Sequence, residues 1–298
     1  KSFEKAIEIK PDYFEAHYNL GQTFQDQNNI EAAITSYRKV LIIKPNFAEL
    51  HNNLGVIYHG IGEIDSALGH LKKAVRILPE FAEAFNNLGN IYKELKLPDR
   101  AINCYKNAVA INPDLADGYF NIGSVLQELK QFDLAINSFE MVISIDPNYS
   151  AAYFNLGNIF QDLGKLDEAV ESYQKTLKIK QDNTEAHYEL GLTFMQLGKL
   201  DASIESYKKA LSINPNYSDV HNSLGNVFNQ VGQLQNALLS YEKALSISPE
   251  HPEVFFNLGN LMLDLNKLDK AVTNYEYALK LKPGIDCNFG NLFHTKMH

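Results

Sequence analysis

The sequence predicts an all-α protein, a right-handed superhelical solenoid of helix-turn-helix repeats. Three observations indicate this fold class. Proline recurs at intervals of 34 residues, a Leu-Gly or Ile-Gly pair recurs at the same interval, and each interval contains two apolar stripes with helical spacing. A single helix pair cannot bury its apolar face alone, whereas stacked pairs can, so the repeats are expected to stack.

The glycine of the recurring pair defines the repeat. We number each repeat so that this glycine is position 8, which gives eight full repeats from Phe14 to Ile285. The glycines are Gly21, Gly55, Gly89, Gly123, Gly157, Gly191, Gly225 and Gly259. The prolines occupy position 32, and Gln181 stands in the one position 32 that lacks proline.

Each repeat is predicted to contain two helices. Positions 4, 7, 8 and 11 are apolar or small and lie on one face of a first helix, and positions 20, 24 and 27 do the same for a second helix. Glycine at position 8 and a small residue at position 20 allow close helix packing, and position 24 is aromatic except at Leu71. We expect an aspartate at position 18, such as Asp65 or Asp99, to cap the second helix, and the proline at position 32 to end it.

These features resemble the tetratricopeptide repeat family: the 34-residue period, Leu-Gly at positions 7 and 8, alanine at position 20, and aromatic residues at positions 11 and 24. The resemblance implies that the first helices line a concave, protein-binding groove. Position 4, often tryptophan in that family, holds histidine, phenylalanine or tyrosine here.

The repeats define the expected domain organisation. Residues 1–13 are interpreted as the second-helix remnant of a preceding, truncated repeat, and residues 14–285 as eight tandem repeats. Residues 286–298 are predicted to form a C-terminal capping helix or the start of a junction to a missing domain. We expect a fragment of a longer array, whose apolar cut ends would permit self-association.

Composition narrows the functional class. The formal net charge of −9 argues against nucleic-acid binding. The sequence contains no run of 18 apolar residues, so it predicts no membrane-spanning helix. The two cysteines form no disulfide or zinc framework, which is consistent with a cytoplasmic, intracellular location. Because common catalytic and nucleotide-binding motifs are absent, we expect a non-catalytic chain with no cofactor and no metal.

Four repeats have histidine, a common metal ligand, at position 4. Neighbouring helices lie about 8–10 Å apart, whereas a zinc ligand lies about 2 Å from its metal, so packing of the imidazole rings is the preferred interpretation. These histidines are His17, His51, His187 and His221.

Polar residues of the first helices form the candidate peptide-binding site. An asparagine offers one donor and one acceptor, which matches a peptide unit of an extended chain. Helices repeating at roughly 10 Å would meet every third residue of a strand that rises about 3.3 Å per residue. The candidates are Asn19, Asn53, Asn87, Asn121, Asn155 and Asn257 at position 6, Asn90, Asn158, Asn226 and Asn260 at position 9, and Glu49, Glu83 and Asp117 at position 2.

The predicted function is therefore a protein-interaction scaffold that binds extended segments of other proteins. The acids would favour segments with Lys, Arg, Ser or Thr, whereas a merely solvated surface is the competing interpretation. Neither position 5 nor position 9 carries Lys or Arg in any repeat, which argues against a clamp for C-terminal carboxylates.

An alternative function comes from the tail. The run ALKLKPGIDCNFGNLFHTKMH resembles the junction that joins such repeats to the catalytic region of O-linked N-acetylglucosamine transferases. The matching residues are Leu292, His294, Lys296 and Met297. The resemblance implies the substrate-recruiting N-terminal arm of a protein O-glycosyltransferase, with a UDP-sugar bound by a catalytic domain that this chain lacks.

Overall fold

The computed structural model describes residues 2–283, which form 17 α-helices and no β-strand. This confirms the predicted all-α helical-repeat fold class. Within the described range, no helix has the length and apolar character needed to cross a bilayer. The predicted capping helix or junction at residues 286–298 lies outside the described residues.

The chain divides into an N-terminal unit that ends at Pro147 and a C-terminal unit that begins at Asn148. The helices of the N-terminal unit are α1 (Ser2–Ile9), α2 (Phe14–Asp26), α3 (Ile30–Ile43), α4 (Ala48–Gly60), α5 (Ile64–Ile77), α6 (Ala82–Glu94), α7 (Pro98–Ile111), α8 (Ala116–Glu128) and α9 (Phe132–Ile145). Those of the C-terminal unit are α10 (Ser150–Asp162), α11 (Leu166–Ile179), α12 (Thr184–Gln196), α13 (Leu200–Ile213), α14 (Ser218–Gln230), α15 (Leu234–Ile247), α16 (Pro252–Asp264) and α17 (Leu268–Leu281).

Every repeat therefore has a first helix at positions 1–13 and a second helix at positions 17–30. The turn between them contains a residue with positive φ at position 15 in all eight repeats. Four of these residues are glycine, and Asn28, Asn266, Lys96 and Lys130 occupy the others. Left-handed backbone at this position reverses the chain, so the second helix packs back against the first.

The aspartates at position 18 do not cap the second helices as predicted. Helix α5 begins at Ile64 with Glu63 at its N-cap, so Asp65 is the second helical residue and makes no capping hydrogen bond. Asp99 lies in the same place in α7, after Pro98. Because the positive-φ residue at position 15 makes position 16 the N-cap, these carboxylates only interact with the positive end of the helix dipole.

The second helices end just before position 32, as the prolines there led us to expect. The helix also ends at this point in the repeat that lacks proline. Helix α3 ends at Ile43, two residues before Pro45. Helix α11 ends at the equivalent Ile179 although Gln181 replaces the proline. Packing of the following repeat therefore contributes to the helix end together with the ring of proline.

Close contact between positions 8 and 24 joins the two helices of each repeat. A Cβ placed on Gly21 would lie 2.5 Å from Cε1 of Tyr37, and one on Gly55 would lie 2.5 Å from Cγ of Leu71. The side chains at position 24 are at most 1% exposed. Only a residue without a side chain fits at position 8, because the facing side chain already fills that space.

We expect Gly89→Ala to destabilise the protein. The new Cβ would lie 2.6 Å from Cδ1 of Tyr105, whose ring is fully buried and has no free space to move into. Overpacking of this kind costs about 1–3 kcal/mol in the free energy of unfolding, measurable by urea denaturation. Gly69→Ala in α5 is the control, because nothing lies within 4 Å of its new Cβ. It should stabilise the helix by about 0.5–1 kcal/mol, and equal stability of the two variants would contradict the packing argument.

The histidines at position 4 reach the loop that precedes their own helix. Nε2 of His17 lies 2.9 Å from the carbonyl oxygen of Pro11, and His187 bonds the Gln181 carbonyl in the same way at 3.1 Å. A carbonyl oxygen only accepts, so Nε2 carries the proton in each ring. His51 and His221 make the equivalent bonds to Pro45 and Pro215. These rings fill the packing position and also fix the loop.

The second repeat contains a histidine pair, in which His51 is buried and His70 is half-buried. The Nδ1 atoms of His51 in α4 and His70 in α5 are 2.9 Å apart. Since Nε2 of His51 donates to a carbonyl, its Nδ1 accepts the hydrogen bond from His70 when both rings are neutral. Burial, followed by the charges of His51, Lys73 and Arg38, lowers the pKa of His70 from 6.5 to about 4.

This pair should make the stability of the fold sensitive to acid. The pKa of His70 is lower in the folded state, so the unfolded chain takes up its proton first as the pH falls. The stability present above pH 6.5 is therefore lost progressively between pH 6.5 and about 4. We expect His70→Ser, which introduces the residue found at the equivalent position Ser36, to show a smaller loss of Tm over this range. Parallel Tm profiles for the variant and the wild type would contradict this explanation.

Candidate functional site

The candidate residues lie on a surface that we call the first-helix face, formed by positions 2, 5, 6 and 9 of the first helices. In the N-terminal unit, α6 contacts both α4 and α8. In the C-terminal unit, α12 contacts α10 and α14, and α14 contacts α16. The face is thus continuous across these neighbouring first helices within each unit, and its position 6 asparagines are all half-buried.

Hydrogen bonds between side-chain amides connect successive repeats along this face. Nδ2 of Asn87 donates to Oδ1 of Asn52 at 2.9 Å, and Nδ2 of Asn121 donates to Oδ1 of Asn86 at 3.0 Å. Asn257 and Asn222 make the same bond, at 2.9 Å, in the C-terminal unit. Each bond joins position 6 of one repeat to position 5 of the repeat before it. We call this set of three bonds the amide ladder.

The amide ladder continues into the acidic residues at position 2. Asn52 is only 1% exposed, and its Nδ2 donates to Oε1 of Glu83 at 3.0 Å. Its Oδ1 accepts from Asn87, so both ends of this buried amide are satisfied. The hydrogen bond from Asn52 therefore orients the Glu83 carboxylate. Glu49, Glu83 and Asp117 are all exposed on the first-helix face.

Three candidate asparagines have other surroundings. Asn155 bonds the backbone carbonyl of Ala151, one turn earlier in its own helix, at 2.8 Å. Within the described residues, the side chains of Asn19 and Asn53 make no hydrogen bond. Asn53 lines a cleft of about 420 Å³ in the N-terminal unit, together with Gln22, Glu83 and other residues. The preceding repeat has Tyr18 at position 5, so Asn53 has no amide partner there.

The position 9 asparagines bind the core rather than each other. Tyr105 donates its hydroxyl hydrogen bond to Oδ1 of Asn90 at 2.8 Å, from a ring that is fully buried. The same pair recurs in three repeats of the C-terminal unit: Tyr173 with Asn158, Tyr241 with Asn226, and Tyr275 with Asn260. The carbonyl oxygens of these asparagines satisfy buried hydroxyls, which leaves their amide nitrogens for other partners.

The histidine, cysteine and acidic side chains of the described residues do not gather into a metal site. Between residues 2 and 283, no group of three or more His, Cys, Asp and Glu side chains is arranged to hold a metal ion. Burial raises the pKa of the Cys104 thiol to about 11, so this side chain is not the thiolate that nucleophilic chemistry needs.

Comparison with protein families identifies the repeats. The model described as "TPR repeat" matches residues 1–28, 21–62, 57–96, 157–198, 191–232 and 225–266. Models described as "Tetratricopeptide repeat" match residues 82–115, 116–149, 138–171 and 252–285. The chain belongs to the tetratricopeptide repeat (TPR) family. It is therefore an all-α helical-repeat solenoid, as the sequence predicted.

Several solved structures resemble this chain. MamA is 28% identical, with a TM-score of 0.52 over 56% of this chain and 92% of MamA. YrrB, described as a TPR protein with an unusual peptide-binding site, is 21% identical, with a TM-score of 0.54 over 62% of this chain and 95% of YrrB. A TPR protein from Parabacteroides merdae ATCC 43184 is 18% identical, with a TM-score of 0.60 over 84% of this chain and 98% of that protein. No curated protein matches the chain.

None of these matches points to a glycosyltransferase. The alternative function drawn from the tail therefore stays a hypothesis, and the peptide-binding role of the Asn and acidic residues stays a prediction.

The amide ladder could have been predicted from the sequence if position 5 had been read together with position 6. In this TPR chain, position 5 is asparagine at Asn52, Asn86 and Asn222. Those are the repeats whose following repeat completes an amide bond. Where position 5 is aromatic, as at Phe154 before Glu189, the ladder is interrupted. The pairing needs both positions, because an amide donor requires an acceptor at the matching place on the neighbouring helix.

The Tyr–Asn pairs of this TPR chain should contribute measurably to its stability. Asn226→Ala removes the acceptor of the buried Tyr241 hydroxyl, which should lower the free energy of unfolding by about 1–2 kcal/mol. In a Tyr241→Phe background the same change should cost much less, because no hydroxyl remains to be satisfied. A double-mutant cycle in urea measures this coupling, and additive costs of the two changes would contradict the pairing.

Proposed function

We propose that this TPR chain is a protein-interaction scaffold whose first-helix face binds extended segments of other proteins. The amide ladder is the observation that carries the proposal. It holds the amides of Asn87, Asn121 and Asn257 in defined orientations before any ligand arrives, so little side-chain entropy is lost when they bind one. A set of merely solvated asparagines would have no such order.

The amides also retain hydrogen-bonding capacity after the ladder is made. Asn87 and Asn257 each use one N–H, so each keeps a second N–H and its carbonyl oxygen. Asn121 donates to Asn86 and, at 3.4 Å, to Asn90, and keeps its carbonyl oxygen. These groups match the N–H and C=O groups of a peptide backbone, which would make binding tolerant of many sequences.

The acidic residues supply the charge preference of the scaffold. Glu49, Glu83 and Asp117 are exposed along the N-terminal part of the face, and the chain as a whole carries a formal net charge of −9. Segments rich in lysine or arginine would therefore be attracted, and nucleic acid would be repelled.

The proposal predicts that Asn87→Ala with Asn121→Ala weakens peptide binding. With two backbone-binding amides removed, the Kd for a labelled pool of random peptides of about 12 residues should rise about tenfold, measured by fluorescence anisotropy. The matched control is Asn103→Ala with Asn107→Ala, which removes two exposed amides from the second helix α7. Circular dichroism would verify that both variants remain helical. Equal affinities for the two double variants would contradict the proposal.

A second candidate function rests on the tail sequence. If the repeats recruit substrates for a protein O-glycosyltransferase, the gene should continue beyond His298 into a domain that binds a UDP-sugar. Sequencing of the source transcript past this point tests the idea directly, and a stop codon within a few residues would rule it out. The scaffold function of the first-helix face is common to both candidates.

A further inference from the structure

The second helices of the first two repeats carry a cluster of exposed cations. Arg38 and Lys39 of α3 occupy positions 25 and 26, and Lys72 and Lys73 of α5 occupy the same positions in the next repeat. Arg76 follows one turn after Lys72. All five side chains are exposed. We call this set of five residues the basic patch.

Contacts of Arg38 connect the two helices of the basic patch. Nη2 of Arg38 in α3 donates to the hydroxyl of the buried Tyr58 at 2.8 Å. The Tyr58 ring stacks on His70 of α5, with the ring centroids 5.4 Å apart. After burial and the charge of His51, the charges of Lys73 and Arg38 lower the pKa of His70. Cations from both helices therefore lie near the same ring.

No acidic residue of these helices lies within the basic patch. The sequence has neither aspartate nor glutamate at residues 32–48 or 66–79. Glu31 and Asp65 lie in the first turns of α3 and α5, two helical turns or about 10 Å before the patch begins. Within the described residues, none of the five cations forms an ion pair. Their charge is therefore left for an external partner.

Two repeats of the C-terminal unit neutralise the same position differently. Lys175 pairs with Glu171 at 2.9 Å, and Lys209 pairs with Glu205 at 3.5 Å, each partner one turn earlier in the same helix. The lysines occupy position 26, and the glutamates occupy position 22. A cation at position 26 is thus paired inside the protein where position 22 is acidic.

The first two repeats lack this acidic partner. Position 22 is Thr35 before Lys39, and it is Gly69 before Lys73. Gly69 is exposed inside α5, and a Cβ placed on it would meet nothing within 4 Å. Packing therefore does not require this glycine, although glycine inside a helix costs stability. It leaves bare backbone one turn before Lys73, where another chain can approach closely.

The helix dipole does not explain these cations. Lysine and arginine stabilise the C-terminal end of a helix, but the effect falls off within the last turn. Arg76 is the one basic residue in the last turn of α5, and the last turn of α3 contains none. The other four cations of the basic patch lie farther from the helix ends.

An exposed apolar residue beside the patch indicates the kind of partner. Ile42 is 80% exposed and lies three residues after Lys39 on the same side of α3. A polypeptide can place carboxylates on the cations and an apolar side chain on Ile42. The phosphate backbone of a nucleic acid offers only the charge, and the acids in the first turns of both helices would repel it where it ran past the patch.

We propose that the basic patch binds an acidic segment of a partner polypeptide, with carboxylates on its exposed cations and an apolar side chain on Ile42. This surface is separate from the first-helix face and has the opposite charge. The chain would then hold a basic segment on one surface and an acidic segment on the other.

The test uses two labelled pools of random peptides of about 12 residues, long enough to cross both helices. Every second residue is glutamate in one pool and glutamine in the other. Lys39→Gln with Lys73→Gln should raise the Kd for the glutamate pool about five- to tenfold in fluorescence anisotropy. The Kd for the glutamine pool should stay the same, because those peptides carry no charge at the fixed positions.

A matched control removes the same charge elsewhere. Lys178→Gln with Lys243→Gln changes two exposed lysines of the second helices α11 and α15. It should leave both Kd values unchanged. An equal loss of affinity for the glutamate pool in this control overturns the proposal, because the net charge would then explain the effect. An unchanged Kd in Lys39→Gln with Lys73→Gln overturns it as well.

A second variant keeps every cation of the basic patch. Thr35→Glu with Gly69→Glu gives Lys39 and Lys73 the partner found at position 22 of the fifth and sixth repeats. It should raise the Kd for the glutamate pool at least as much, while Tm stays at or above that of the wild type because a helical glycine is replaced. An unchanged Kd for the glutamate pool in this variant would contradict the proposal.

Two further measurements locate the site and identify the partner class. Asn87→Ala with Asn121→Ala should not change the Kd for the glutamate pool, and a raised Kd would move acidic segments to the first-helix face and overturn the basic patch. An oligothymidine of about 12 nucleotides should bind the wild type more weakly than the glutamate pool does. Tighter binding of the oligothymidine would overturn the choice of an acidic polypeptide. None of these outcomes alters the test of the amide ladder.

Discussion

The rest of the structure depends on the contact between the glycine at position 8 and the large side chain at position 24. This contact fixes how the two helices pack in every repeat. The glycine has no side chain, and the large side chain at position 24 fills the space that its absence leaves. Leu71 opposite Gly55 shows that volume, rather than an aromatic ring, is what the contact needs. Since every first helix lies in the same place on its second helix, positions 5, 6 and 9 emerge at equivalent points of the first-helix face.

That regularity lets the same polar side chains stabilise the stack and, in the proposed function, bind a polypeptide. Four buried tyrosines at position 24 donate to the asparagines at position 9, and three position 6 amides donate to position 5 of the preceding repeat. In Asn87, one N–H bonds the neighbouring repeat, and the proposed function assigns the carbonyl oxygen to a ligand. In Asn90 the carbonyl oxygen accepts the hydrogen bond of the buried Tyr105 hydroxyl, and the amide nitrogen can still donate to another partner. A surface ordered in this way binds a flexible chain at a lower entropic cost than a disordered one.

The sixth repeat departs from the residue pairing that several other repeats share. Four repeats pair tyrosine at position 24 with asparagine at position 9, whereas Tyr207 lies opposite Leu192. Glu189 adds a desolvated carboxylate in the same repeat.

The sequence by itself determined the period, the two helices of every repeat, and the buried positions 8, 20 and 24, because these follow from short-range spacing that repeats eight times. It also placed the candidate asparagines on one face of the first helices. Only the tertiary structure decided which atoms of those asparagines are already used. Asn52 is buried and Asn53 is not bonded, although they are adjacent in the chain. The aspartates at position 18 looked like caps until the turn at position 15 moved the N-cap to position 16. Such outcomes depend on how helices from different repeats meet, and the identity of a residue does not specify the neighbour against which it packs.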